Sequence, residues 1–229
     1  YPNSFLPQQF REQPDGAQLR VLDFGGGDGV HYRKIKKGLC KRHCLETAIE
    51  WNIVETQECV DKYKDSEPDE PQLKWFSSID ELDGEVDIIY SEATLRYIEN
   101  YDEILSKLMS FDPHYIFLQR STIGMHSTCL AKQLFGRQRV EDGSFEPGQL
   151  ARDNYGMIRN GEPMHFWFIS EESFRAYTNS HGYQIYHKQP FNVHPRYQIV
   201  EGKLNSYDDY WGTPRAEMNN FILEKRVDA

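Results

Sequence analysis

Residues 19–29 read Leu-Arg-Val-Leu-Asp-Phe-Gly-Gly-Gly-Asp-Gly, a short apolar run that stops at Gly25, Gly26, Gly27 and Gly29. A run of this length bounded by glycines reads as a parallel strand buried on both faces. Glycines after such a strand let the backbone turn tightly and approach a ligand closely, and they leave the amides of the next helix start open. Residues 31–50 contain no proline and mix basic with apolar groups, as in a helix and a following turn. Residues 51–55 (W-N-I-V-E) form a second short strand, and Thr56 is placed to cap the helix after it.

The same alternation continues. Residues 73–76 and 86–90 (V-D-I-I-Y) read as strands three and four, with room between them only for a short helix at 78–82. A helix over 102–109 and a fifth strand over 114–119 complete the run. Strand–helix repetition at this spacing predicts an α/β fold with a parallel sheet whose strand C-termini share one ligand-binding edge. Residues 121–164 break the rhythm and read as a partly helical cap inserted into a single domain spanning 1–229. Order returns at 166–168, followed by a helix over 170–181 with Ser170 as N-cap and Gly182 as its stop. Residues 183–188 and 220–225 are strands six and seven.

The glycine spacing separates two ligand classes. Dinucleotide sites use G-x-G-x-x-G, whereas Gly25, Gly27 and Gly29 make G-x-G-x-G, with Asp23 two residues upstream. A carboxylate pointing into this loop repels a pyrophosphate and welcomes the ammonium group of an amino acid. That turns the reading from NAD toward S-adenosylmethionine. Glu55 ends the second strand, where a carboxylate can accept both hydroxyls of a ribose.

Composition narrows the partners. The 229 residues carry 26 basic and 36 acidic side chains, a net charge of −10, which disfavours nucleic acid as the main partner. No apolar run approaches the roughly 18 residues of a membrane span. The 13 Phe, 4 Trp and 14 Tyr supply buried area to an otherwise polar chain. Four cysteines are too few for a disulfide framework. With no signal peptide visible, they suggest reduced thiols and a cytoplasmic location. Cys40 and Cys44, with His43 beside them, fall short of a zinc ligand set, so no metal is expected.

L-D-F-G-G-G-D-G followed by W-N-I-V-E resembles the class I S-adenosylmethionine-dependent methyltransferases. More narrowly, it is similar to methyltransferases associated with bacterial surface-polysaccharide gene clusters. The resemblance covers residues 19–120, and more loosely 165–188 and 220–225. It implies a Rossmann-like, doubly wound, seven-stranded sheet with an antiparallel last strand. It further implies that Asp23, Gly25, Gly26 and Gly27 surround the methionine moiety and that Glu55 holds the ribose. Ser77 and Ser78 then fall at the adenine, and Ser91 and Glu92 beside the sulfonium and the acceptor. Two features depart from the family: the 26 residues from Gly29 to Glu55 are a long separation, and residues 90–94 read Y-S-E-A-T rather than the N/D-P-P-Y/F of amino-group methylases.

Methyl transfer from a sulfonium is an in-line displacement, so alignment does most of the work and a general base is optional. Acceptor-side candidates are Glu92, Arg96, Tyr97, Arg120, His126, Tyr155 and His165, of which Glu92, His126 and His165 are the expected catalytic groups. Arg120 suits an anionic acceptor, or equally a neighbouring carboxylate. Tyr155, Phe166, Trp167 and Phe168 can line an acceptor pocket, although F-W-F in a strand more often packs in a core. The expected activity is methylation of O or N on a small molecule, with a saccharide or nucleotide-sugar precursor favoured by the resemblance. The alternatives are a nicotinamide-dependent oxidoreductase and a catalytically silent cofactor-binding protein.

Overall fold

The computed structural model describes residues 18–43, 49–125, 128–133, 137–139, 145–147, 164–191, 197–200, 203–206 and 218–226. Strands β1 (Leu19–Phe24), β2 (Ile49–Val54), β3 (Leu73–Phe76), β4 (Ile88–Glu92) and β5 (Tyr115–Ser121) pair in parallel. Between them run helices α1 (Val30–His43), α2 (Gln57–Tyr63) and α3 (Tyr101–Met109). Four short strands follow: β6 (Ile123–Met125), β7 (Cys129–Gln133), β8 (Arg137–Arg139) and β9 (Phe145–Pro147). Next come β10 (Met164–Ser170), α4 (Glu171–Ser180), β11 (Tyr183–Phe191), the hairpin of β12 (Tyr197–Val200) with β13 (Lys203–Ser206), and β14 (Met218–Lys225).

The main sheet has seven strands in the order β3-β2-β1-β4-β5-β14-β11, with β14 antiparallel to both of its neighbours. The strand order reverses between β1 and β4, the place where open α/β sheets bind ligands. Successive residues of each central strand enter opposite layers, since side chains alternate across a sheet. Leu22, Ile89 and Leu118 join one buried cluster with α3 and α4, while Val21, Ile88 and Phe117 join another with Tyr32, Trp51 and Ile53. Helices on both faces explain why these strands are apolar throughout.

Local signals place most element ends as the sequence suggests. Thr56 Oγ1 accepts from the Cys59 amide at 3.4 Å, Ser170 Oγ accepts from the Ser173 amide at 3.3 Å, and Gly182 takes a left-handed φ of 83°. The short helix after β3 is a single 3-10 turn, Ile79–Glu81. The fourth strand starts and ends two residues later than its apolar pattern suggests. Asp87 exchanges bonds with the Arg20 backbone, its Oδ2 accepting from the Arg20 amide at 2.7 Å, and the strand begins after it. Ser91 and Glu92 therefore close β4 rather than follow it, in register with Leu118 and Gln119 of β5.

The inserted region holds more strand than the sequence reading expected, and the helical part expected of it falls on residues outside the described ones. Its described residues form four strands and no helix. β7 pairs antiparallel with β10, from Met164 opposite Gln133 to Phe168 opposite Cys129, and β6 pairs parallel with β10 on its other side. For β6 and β7 the partner that makes them strands lies some 30 to 46 residues away in the chain, beyond the reach of local propensity. Among the described residues no helix is long and apolar enough to cross a membrane.

Candidate cofactor and acceptor site

The parallel register brings the C-terminal ends of β1, β2, β4 and β5 to one edge of the sheet. The glycine loop after β1 leans on β2 through the Gly25 amide, 2.9 Å from the Val54 carbonyl, and closes on itself from the Gly29 amide to the Gly26 carbonyl at 3.1 Å. Asp28 starts α1, accepting from the Val30 amide at 3.1 Å and from Arg33 at 2.8 Å.

The glycines serve different ends. A Cβ at Gly25 would lie 2.0 Å from Thr94 Oγ1, and one at Gly26 would lie 2.5 Å from Asp23 Oδ2. At these two positions the missing Cβ makes room for the protein's own side chains. Gly27, at φ 58°, has none of the described residues within 4 Å of the corresponding point, so among them the loop is open to a ligand there.

The two strand-end acids also part company. The sequence suggests an Asp23 carboxylate pointing into the loop, yet the group lies beneath it with no exposed surface. Asp23 shares a sheet face with Val21, which aims it at Trp51 and α1. Its Oδ2 accepts from Trp51 Nε1 at 3.1 Å and from His31 Nδ1 at 3.0 Å. Glu55, just past β2, stays on the open side. Its Oε1 accepts from the Gly27 amide at 3.2 Å and its Oε2 from the Thr56 amide at 2.9 Å.

Glu92 forms the other side of the edge. Its Oε2 lies 3.0 Å from His31 Nε2 and its Oε1 lies 3.3 Å from an Arg120 guanidinium nitrogen. Of the two roles open to Arg120, the structure shows the pairing with a neighbouring carboxylate. Asp23, His31, Glu92 and Arg120 thus form one continuous string across the ends of β1, β4 and β5. The first residue after β4, Ala93, and Arg120 near the end of β5 are both left-handed, at φ 59° and 51°. Such backbone strain needs a surrounding structure that enforces it. Here the Ala93 amide bonds the Gln119 carbonyl at 2.9 Å and the Arg120 amide bonds Asn220 Oδ1 at 2.8 Å.

Electrostatics follow from the string. Burial pulls the His31 pKa down, but hydrogen bonds and charge from Asp23 and Glu92 outweigh it and raise the pKa to about 9. The His31 hydrogen bond, helped by Arg120 and opposed by burial, lowers Glu92 to about 2. Tyr90, packed 4.8 Å from the His31 ring, has its pKa raised by burial and then by the two carboxylates. Sequence reasoning missed His31. One signal was available: α1 begins with no acid in its first turn, so a histidine near that positive helix end needs carboxylates from elsewhere.

The remaining expected residues scatter. Ser91 is buried and its Oγ has no hydrogen-bond partner among the described residues; it lines a small cleft with Thr94, Arg96, Ser121, Thr122 and Ile169. Ser77 donates to Glu81, and Ser78 caps the 3-10 turn by accepting from the Asp80 amide at 3.1 Å. Arg96 lies over the Tyr97 ring at 4.8 Å. His126 and Tyr155 lie outside the described residues, as do the side chains of His165 and Phe166, although both of the latter belong to β10. Trp167 donates to the Glu99 carbonyl at 3.1 Å and packs on Tyr101, and Phe168 is buried, so these two serve packing. The described residues hold no cluster of three His, Cys, Asp or Glu side chains able to bind a metal ion.

No protein-family profile and no curated protein matches the chain by sequence. Solved structures do match by shape. The CMeT domain of citrinin polyketide synthase superposes with a TM-score of 0.52 at 12% identity, covering 98% of this chain and 51% of its own. This chain therefore spans about half the length of that one. Magnesium protoporphyrin IX methyltransferase from Synechocystis, with bound S-adenosylhomocysteine, gives 0.52 at 11% identity, covering 98% and 82%. A Listeria monocytogenes protein described as an S-adenosylmethionine-dependent methyltransferase gives 0.52 at 14%, covering 98% of each chain. The fold is thus the Rossmann-like α/β fold of the class I methyltransferases, with its antiparallel strand inserted next to β5.

Proposed function

We propose that the protein is an S-adenosylmethionine-dependent methyltransferase that methylates O or N of a small molecule. The observation that carries this reading is Glu55, whose carboxylate meets the Gly27 amide at the one glycine of the loop open to a ligand. The methyltransferase structures of the same fold support it.

The residues fit the cofactor. Gly27 leaves room for a ligand against the backbone, Glu55 offers two acceptor oxygens for ribose hydroxyls, and Ser91 keeps a buried hydroxyl unpaired at the acceptor edge. Ser77 and Ser78 close the adenine side. Asp23 acts from beneath, holding the loop rather than touching the ligand. The cofactor itself supplies an electrophilic methyl group on a sulfonium. On the acceptor side Glu92, with its pKa near 2, orients a hydrogen-bond donor and is a poor proton acceptor near neutrality, since a useful general base titrates near the working pH. Any base then falls to His126, within residues 121–164 as the substrate-side insertion of a single cytoplasmic domain, or to His165 just after that insertion. A saccharide or nucleotide-sugar acceptor rests on the sequence resemblance.

Calorimetry with S-adenosylhomocysteine tests the reading, and micromolar binding is the expected result. Folded protein that binds none at high micromolar concentration overturns it. Thermal stabilisation by NAD or NADP in its place moves the protein to the oxidoreductases.

A further inference from the structure

We propose that His31 is a positioning residue for methyl transfer, bridging Asp23 under the cofactor loop to Glu92 at the acceptor edge so that the two sides are held as one unit. The inference rests on the methyltransferase reading and concerns residues of this chain alone.

Geometry carries it. His31 Nδ1 is 3.0 Å from Asp23 Oδ2 and Nε2 is 3.0 Å from Glu92 Oε2. A neutral imidazole has one N–H, so it would turn a ring lone pair toward one of these carboxylates. Only the imidazolium donates to both. The groups facing the ring are Asp23 from β1 and Tyr90 and Glu92 from β4, with Arg120 from β5 behind Glu92. With Asp23 fully buried and His31 nearly so, water screens these contacts little. The ring is also fixed in orientation, because Tyr90 packs on it and is itself flanked by Trp51 and Phe117.

Both ends of the bridge bear on the site. Above Asp23, the Gly26 backbone sits so close that a Cβ there would collide with the carboxylate, so the loop height follows the position of Asp23. At the other end, the ring takes one Glu92 oxygen and Arg120 the other, which sets the direction of the carboxylate. A cation near the N-terminus of α1 opposes the helix dipole, so local helix stability does not account for it. The long-range pairing does.

Two measurements test this without an identified acceptor. In ¹⁵N-histidine-labelled, ligand-free protein, both His31 ring nitrogens are expected to carry protons at about pH 7.5, and Glu92→Gln is expected to move that titration to lower pH. The second is a double-mutant cycle read by S-adenosylhomocysteine affinity. Glu92→Gln is expected to weaken binding about fivefold in the wild-type background and to add almost nothing in His31→Gln. A neutral ring, or two independent and additive losses, overturns the positioning role while leaving the cofactor reading intact. An imidazolium ring in protein that binds no S-adenosylhomocysteine overturns the cofactor reading and the positioning role with it.

Discussion

The Gly26 backbone rests on the Asp23 carboxylate, with a Cβ at Gly26 falling 2.5 Å from Asp23 Oδ2. Asp23 is fully buried and held by Trp51 and His31, so it cannot move aside. Gly26→Ala is therefore expected to destabilise the protein by about 2 kcal/mol through overpacking. Gly27→Ala meets no neighbour and incurs only the left-handed backbone penalty, about 1 kcal/mol. Urea unfolding of the two variants checks the order, and equal losses would mean the loop does not sit on Asp23.

The two strand-end acids are expected to fail differently. Asp23→Ala strips buried His31 and Trp51 of a shared partner and should cost about 3 kcal/mol of stability. Glu55→Ala should leave the melting temperature nearly unchanged and weaken S-adenosylhomocysteine binding at least tenfold, about 1.4 kcal/mol. Wild-type affinity in Glu55→Ala would remove Glu55 from the cofactor site.

The His31–Glu92 contact predicts a stability optimum in mildly acidic solution. The folded pKa of His31 is raised to about 9, so its contribution is complete below the ordinary histidine value of 6.5 and is lost as pH rises through about 9. Glu92 is lowered to about 2, so its contribution is complete above the ordinary glutamate value of 4.5 and is lost as pH falls through about 2. These are two views of one interaction and are not summed. Relative to His31→Gln, the wild type should lose on the order of 3 kcal/mol between about pH 6 and pH 10. Denaturant titrations at several pH values measure this, and parallel curves would contradict it.

Ser91 predicts a trade between stability and binding. A buried hydroxyl without a partner is a net cost to the ligand-free fold, so Ser91→Ala should be neutral or stabilising by up to about 1 kcal/mol. If the hydroxyl serves the site, the same variant binds S-adenosylhomocysteine more weakly. Lower stability with unchanged binding would assign Ser91 to packing.

Much of the fold was legible because its signals are local. The apolar run before Gly25, the caps at Thr56 and Ser170, and the glycine stop at 182 each act within a few residues of themselves. Glu55 was legible only as an acid at the end of an apolar strand; the pairing of β1 with β2 is what brings it to the Gly27 amide. The strands of the inserted region were not, because β7 becomes a strand only by pairing with β10. His31 was not, because nothing within its own helix explains a histidine at that position.

By itself the sequence determined the strand–helix alternation, the glycine turn and the two acids that flank it, all products of backbone propensity and side-chain periodicity. Only the tertiary structure decided what those acids do. Sheet register buried Asp23 against Trp51 and left Glu55 in the open, and crossing from β1 to β4 brought Glu92 within 3.0 Å of His31. A carboxylate's role depends on its burial and on the groups that reach it through space, and chain order does not encode that distance.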